Sequence, residues 1–122
     1  MASAADLRRL ALALPEAYED QHRRRPAFRV NGKIFAMLGV TGNTALFTSL
    51  GGDNIAVVKL DREDQLNMIA AHSSAVRATE TYGHHGWTYV RLDLIDKAAL
   101  ATVVRLGWAH VAPKRLSKAF VV

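Results

Sequence analysis

The run Ala27-Phe28-Arg29-Val30-Asn31-Gly32-Lys33-Ile34-Phe35-Ala36-Met37-Leu38 constrains the fold more than any other stretch. Two apolar-rich segments flank an Asn-Gly pair, and Asn-Gly supplies the positive φ angles that a type I′ turn requires. A β-hairpin with a two-residue loop follows. The turn sets a register in which Val30 faces Lys33, Arg29 faces Ile34, Phe28 faces Phe35 and Ala27 faces Ala36. Opposed residues share one side of a ribbon. Phe28, Val30, Phe35 and Met37 are therefore expected toward a core, with Ala27, Arg29, Ile34 and Ala36 on the other side.

An isolated hairpin is marginal in water and needs further strands or helices to bury its apolar side. The rest of the chain supplies them. Ser3 caps a helix to about Leu14, with Leu7, Leu10, Ala11 and Leu14 as its apolar stripe, and Pro15 ends it. Ala17 to His22 reads as an edge strand. Thr44 to Leu50 is a strand or extended loop between glycine-containing turns, within the segment Val40 to Asp53. Asn54 to Leu60 is a strand. Asp61 caps a helix to about His72, with Asp64 as a weak capping-box partner and Leu66, Ile69 and Ala70 as its inner face. His72 to Gly86 reads as a loop with one possible helical turn. Gly86 to Leu94 alternates as a strand, Trp87, Tyr89 and Arg91 pointing one way and Thr88, Val90 and Leu92 the other. Asp96 caps a last long helix ending before Pro113, with Leu100, Val103, Val104, Gly107, Trp108 and Val111 as its stripe. Gly107 beside Trp108 implies a close helix–sheet contact. This order is α+β: an antiparallel sheet with three main helices packed on one face.

The chain has 122 residues, half of them hydrophobic and 22% charged, which fits one domain, 1–122, with a core of its own. No segment approaches the ~20 apolar residues of a membrane span. The beginning looks like a secretory leader, but the run Leu10 to Leu14 is short and Pro15-Glu16 breaks it. The expectation is an amphipathic helix in a cytoplasmic protein, with no membrane partner.

There is no cysteine, which excludes disulfides, thiol catalysis and Cys-based metal sites within the chain. His84 and His85 are adjacent, so on a strand they would diverge and could not readily share a metal. His22, His72 and His110 have no visible partners. Ser49, Ser73 and Ser74 lack the strained elbow of a serine nucleophile. Asp61, Glu63, Asp64 and Asp96 are first-turn carboxylates favoured by the helix dipole. No glycine-rich phosphate loop is present. The reading is a protein that is not an enzyme and has no metal or cofactor.

The basic residues remain. The formal net charge is +5, which favours polyanionic partners. Arg23, Arg24, Arg25, Arg29 and Lys33 gather around the hairpin in sequence, Lys59 ends a neighbouring strand, and Lys114 and Arg115 open the tail. Consecutive arginines cannot share one face of a strand; they suit a loop that presents charge to phosphates. The competing reading is a solvated rim in which Glu16, Glu19 and Asp20 pair with Arg23 to Arg25.

The chain also resembles the MmcQ/YjbR-like proteins. The resemblance rests on Leu14-Pro15 with Glu19, Pro26-Ala27-Phe28, Gly32-Lys33-Ile34-Phe35-Ala36, Val58-Lys59-Leu60, Trp87, and Ala112-Pro113-Lys114-Arg115-Leu116. It implies a frataxin/CyaY-like two-layer α+β sandwich and DNA binding through a paired-hairpin, or double-wing, surface, with no catalytic residues. Val40 to Asp53 looks like an insertion relative to shorter members. Arg23 to Arg25 stand where members often carry histidine, glycine or tryptophan. The expected function is DNA binding with weak sequence preference. The alternatives are a pocket for a small or acidic ligand lined by Trp87, Lys33 and Lys59, and an interaction module using the sheet edge. Monomer and homodimer both remain open.

Overall fold

A computed structural model describes residues 2–23, 25–39, 54–80 and 82–119. Helix α1 (Ala4–Leu12) leads to strands β1 (Tyr18–His22), β2 (Arg25–Val30), β3 (Lys33–Leu38) and β4 (Ile55–Lys59). Helix α2 (Arg62–Ala71), strand β5 (Val76–Ala78), a 3-10 turn (Gly83–His85), strand β6 (Trp87–Arg91) and helices α3 (Lys97–Val111) and α4 (Lys114–Ala119) complete the order. The strands form one antiparallel sheet in the order β1-β2-β3-β4-β6-β5. Among the described residues no helix is long and apolar enough to cross a membrane.

The N-caps lie where the sequence puts them, but Asp64 does not complete a capping box with Asp61. Ser3 and Asp6 form a capping box, Asp61 accepts from the Glu63 amide, and Asp96 accepts from the Ala99 amide. Asn31 and Gly32 have φ of 53° and 76°, the paired positive angles of the expected turn. The register holds for Val30 with Lys33 and Arg29 with Ile34, then slips. Phe28 pairs with Ala36 and Ala27 with Met37, so Phe35 is the extra residue of a β-bulge. The expected pairing of Phe28 with Phe35 is thus corrected. The bulge lets Phe35 and Ala36 both join the helix-side core and sends Met37 to the opposite face.

That main core lies between the sheet and the helices, drawing Leu7 and Ala11 from α1, Met68 from α2 and Leu100, Val103, Val104 and Trp108 from α3. The far side of the sheet carries a second cluster of Ala27, Met37, Ile55, Val57 and Tyr89, with Ile34 and Trp87 packed at its margin. Helix α3 comes close to the sheet at Gly107, as expected. A Cβ there would sit 2.6 Å from Val58 Cγ1 and 3.1 Å from Phe35 O. Beside it, Trp108 is 1% exposed and its indole Nε1 donates to Pro15 O at 3.0 Å.

Two expectations fail. Leu66 and Ala70 do not form the inner face of α2: both are exposed, Ile69 is only half-buried, and Gln65 and Met68 turn inward instead. The segment after α2 is not simply loop, because β5 pairs there with β6. Gln65 joins α2 to the 3-10 turn and the start of β6. It is fully buried, and its Nε2 donates to Gly83 O at 3.0 Å, Trp87 O at 3.2 Å and Thr88 Oγ1 at 3.0 Å. A buried acceptor without a donor is costly, so the amide outcompetes leucine for the inward position. Val40 to Asp53, the ambiguous strand or loop, lies outside the described residues.

Two substitutions check this packing. Trp108→Ala should destabilise the protein by about 3–5 kcal/mol, as large-to-small core changes do; a melting temperature close to wild type would refute the α3 stripe. Gln65→Ala strands buried acceptors at the 3-10 turn and should cost about 2–4 kcal/mol. Its amide exchange should rise first at Gly83 to Thr88 rather than across the sheet.

Candidate nucleic-acid interface

The antiparallel ladder fixes where each basic residue stands. His22 pairs with Arg25, so the connection between β1 and β2, entered at Arg23, lies at one end of the sheet. Arg23 is exposed and holds φ at 50°, a left-handed conformation unusual for a residue with a side chain. Arg24 lies outside the described residues. Arg25 opens β2 and is half-buried. Arg29 and Lys33 stand at the other end of the hairpin, beside the Asn31-Gly32 turn. At about 3.3 Å per residue, β2 separates the two groups by roughly 17 Å. Lys59 pairs with Trp87 toward the same end as Lys33. The structure therefore divides into two groups the cationic set that the sequence gathers around one hairpin.

Several of these cations have partners within the fold. Arg29 Nε lies 3.2 Å from Asp20 Oδ2, near enough for an ion pair though misaligned for a hydrogen bond, and its Nη1 donates to Gly32 O at 2.9 Å. Lys59 donates to His85 O and sits 5.6 Å from the Trp87 ring centroid. Arg115 grips Glu16 through two hydrogen bonds of 2.9 and 3.2 Å. Lys33 and Lys114 are exposed and, among the described residues, have no ion-pair partner.

The acidic cluster before the arginines decides which cations stay uncompensated. Glu19 pairs with Arg8 of α1 at 2.9 Å, Asp20 with Arg29 of β2, and Glu16 with Arg115 of α4. The expected pairing of these acids with Arg23 does not form. Arg23 has no carboxylate partner among the described residues. The Arg115 hydrogen bonds hold the Glu16 carboxyl below its ordinary pKa, and Glu16 in turn raises that of Arg115.

His84 and His85 occupy the 3-10 turn rather than a strand, and their ring centroids are 4.0 Å apart instead of diverging. Among the described residues no group of three or more metal-ligating side chains converges. A shallow groove between α1 and α3, about 290 Å³, is lined mainly by apolar residues, including Leu10, Leu14 and Val104, with Arg105 at its rim. A smaller hollow of about 100 Å³ opens at β5 and β6. Neither is lined by Trp87, Lys33 or Lys59, the residues of the alternative pocket. Sequence reading missed the buried Gln65 beneath the 3-10 turn and the placement of Arg77 and Arg91 around the smaller hollow. The alternation of Trp87, Tyr89 and Arg91 was its one visible signal.

The fold and its surface define a small α+β protein with a basic sheet rim. The YjbR family model matches residues 12–110, and the chain belongs to the YjbR family. Among solved structures it is similar to the Deinococcus radiodurans protein DR2400, a crystal structure of a DUF419 domain. The two share 21% identity at a TM-score of 0.71, over 98% of this chain and 85% of that one. No curated protein matches.

The Glu16–Arg115 pair gives a pH signature. Because the folded carboxyl has the lower pKa, the pair stabilises the fold above the ordinary glutamate pKa and loses that contribution as the pH falls through the folded value. In an NMR titration, Arg115→Ala should move the Glu16 midpoint up toward its ordinary value. An unchanged midpoint would remove the pair from the account of how α4 is held.

Proposed function

We propose that this protein binds nucleic acid, DNA in the first instance, through the phosphate backbone and with little sequence preference. The observation that carries the reading is the β1–β2 connection. Arg23 is exposed there in a run of three arginines, and the carboxylates nearest in sequence are taken by Arg8, Arg29 and Arg115. An exposed arginine in the connection between two antiparallel strands is a cationic tip. Such a tip suits phosphates, which position a protein without specifying sequence. Membership of the YjbR family and the net charge of +5 are in keeping with it. Arg24 and Arg25 follow Arg23 in the sequence and are the neighbouring candidates; Lys33 and Lys59, at the far end of the sheet, with Lys114 and Arg115, are secondary contacts. Arg29 serves mainly to hold Asp20. A cytoplasmic location goes with this function.

Titration against random duplex DNA at several salt concentrations tests the reading. Each phosphate contact contributes about −0.9 to the log–log slope of affinity against salt. Three to five contacts weaken binding roughly 40- to 500-fold between 50 and 200 mM salt. Replacing Arg23, Arg24 and Arg25 together by alanine should flatten the slope by about two to three units. Arg23→Ala alone should hardly move the melting temperature, since an exposed charge contributes little to stability. Equal binding by the triple variant, or no binding by wild type at about 50 mM salt, where such contacts are strongest, would overturn the proposal.

A further inference from the structure

The hollow at β5 and β6 has a chemistry unlike that of the rim. Its walls are Arg77 and Tyr89, which pair across β5 and β6, and Arg91, with Ile55 beside them and Ser73 and Ser74 from the turn after α2. The arginines are braced. Arg91 donates from Nε and Nη2 to Asp93 at 3.0 and 2.7 Å. Arg77 donates from Nη2 to Glu80 at 3.0 Å and lies over the Tyr89 ring, 5.4 Å from its centroid. Glu80 also accepts from the Tyr89 hydroxyl at 2.8 Å.

These contacts use only part of what the side chains can donate. A guanidinium carries five N–H donors. Nη1 of Arg91, and Nε and Nη1 of Arg77, make no hydrogen bond among the described residues. The hydroxyls of Ser73 and Ser74 also make none. Two guanidiniums and two hydroxyls with unspent donors therefore border one concavity. At about 100 Å³ it is too small for an ordinary organic ligand, which takes about 300–1,000 Å³, but large enough for a single tetrahedral anion.

We infer that this hollow is a binding site for a phosphate-monoester type of oxyanion, held by Arg77 and Arg91 and completed by the hydroxyls of Ser73 and Ser74. Glu80 and Asp93 position the guanidiniums, and paired guanidiniums recognise phosphate through charge-assisted, often bidentate hydrogen bonds. The anion can be free phosphate or the 5′-terminal phosphate of a strand; the chemistry at the site is the same.

Two-dimensional amide NMR of the full chain tests this with inorganic phosphate, so the outcome does not depend on whether the arginine tip binds DNA. Saturable shifts are expected at Ser73 to Arg77 and at Arg91. Two to three charge-assisted hydrogen bonds correspond to a dissociation constant on the order of 1 mM or below. Arg77→Gln and Arg91→Gln should each weaken binding about ten- to hundredfold. Ser73→Ala with Ser74→Ala, which leaves both ion pairs intact, should weaken it about two- to tenfold, and Arg23→Ala should leave it unchanged. Shifts that fail to saturate, or that saturate at the wild-type midpoint in all of the arginine and serine variants, would overturn the site. A short oligonucleotide with a 5′-phosphate identifies the source. If it outcompetes its 5′-hydroxyl counterpart, and Arg91→Gln removes the difference, the ligand is a strand end; equal competition assigns the site to free phosphate.

Discussion

The contact of Gly107 and Trp108 with the sheet is the constraint on which the other positions depend. A side chain at 107 would overlap Val58 Cγ1 and press on Phe35 O, so α3 can lie this close only because glycine has no Cβ. That closeness buries Trp108 and brings its indole to Pro15 O. The bond ties α3 to Pro15, in the short link after α1, and β1 begins a few residues later. The place of the edge strand, and of the arginine turn it enters, is thus set by a contact made near the other end of the sequence.

Charge is distributed by the same frame. Three acids in the segment from Glu16 to Asp20 meet arginines from α1, β2 and α4. Exposed pairs of this kind contribute little stability individually. Their larger effect is on which cations remain uncompensated. With the acids engaged elsewhere, Arg23 has no carboxylate partner among the described residues. At the opposite edge of the sheet, Arg77 and Arg91 are held by Glu80 and Asp93. Those carboxylates orient guanidiniums that retain further donors. One arrangement suits a long polyanion approached from solvent; the other suits one small anion in a hollow.

The likeness to DR2400 at 21% identity shows how much sequence this backbone tolerates. Fold alone does not specify function, and membership of the YjbR family leaves the chemistry to be read from side chains. Here the informative ones are arginines, sorted by what each already touches.

Much of the architecture was legible in the sequence because it rests on local rules. Asn31-Gly32 dictated its turn, Ser3, Asp61 and Asp96 their caps, and the spacing from Leu100 to Trp108 its buried stripe, each through contacts between near neighbours in the chain. What failed needed information from afar. The bulge at Phe35 follows from both Phe35 and Ala36 packing toward the helices. The inward turn of Gln65 answers carbonyls of Gly83 and Trp87, which no periodicity of α2 contains. The basic residues were legible as a charge excess but not as a site. Sequence placed Arg25 and Lys33 eight positions apart, whereas the strand between them puts them at opposite ends of the sheet. It set Glu16, Glu19 and Asp20 beside Arg23, and the tertiary structure gave all three to other arginines. Local propensity is written in adjacent residues; the choice of an ion's partner is settled by packing, which brings together groups that the chain holds far apart.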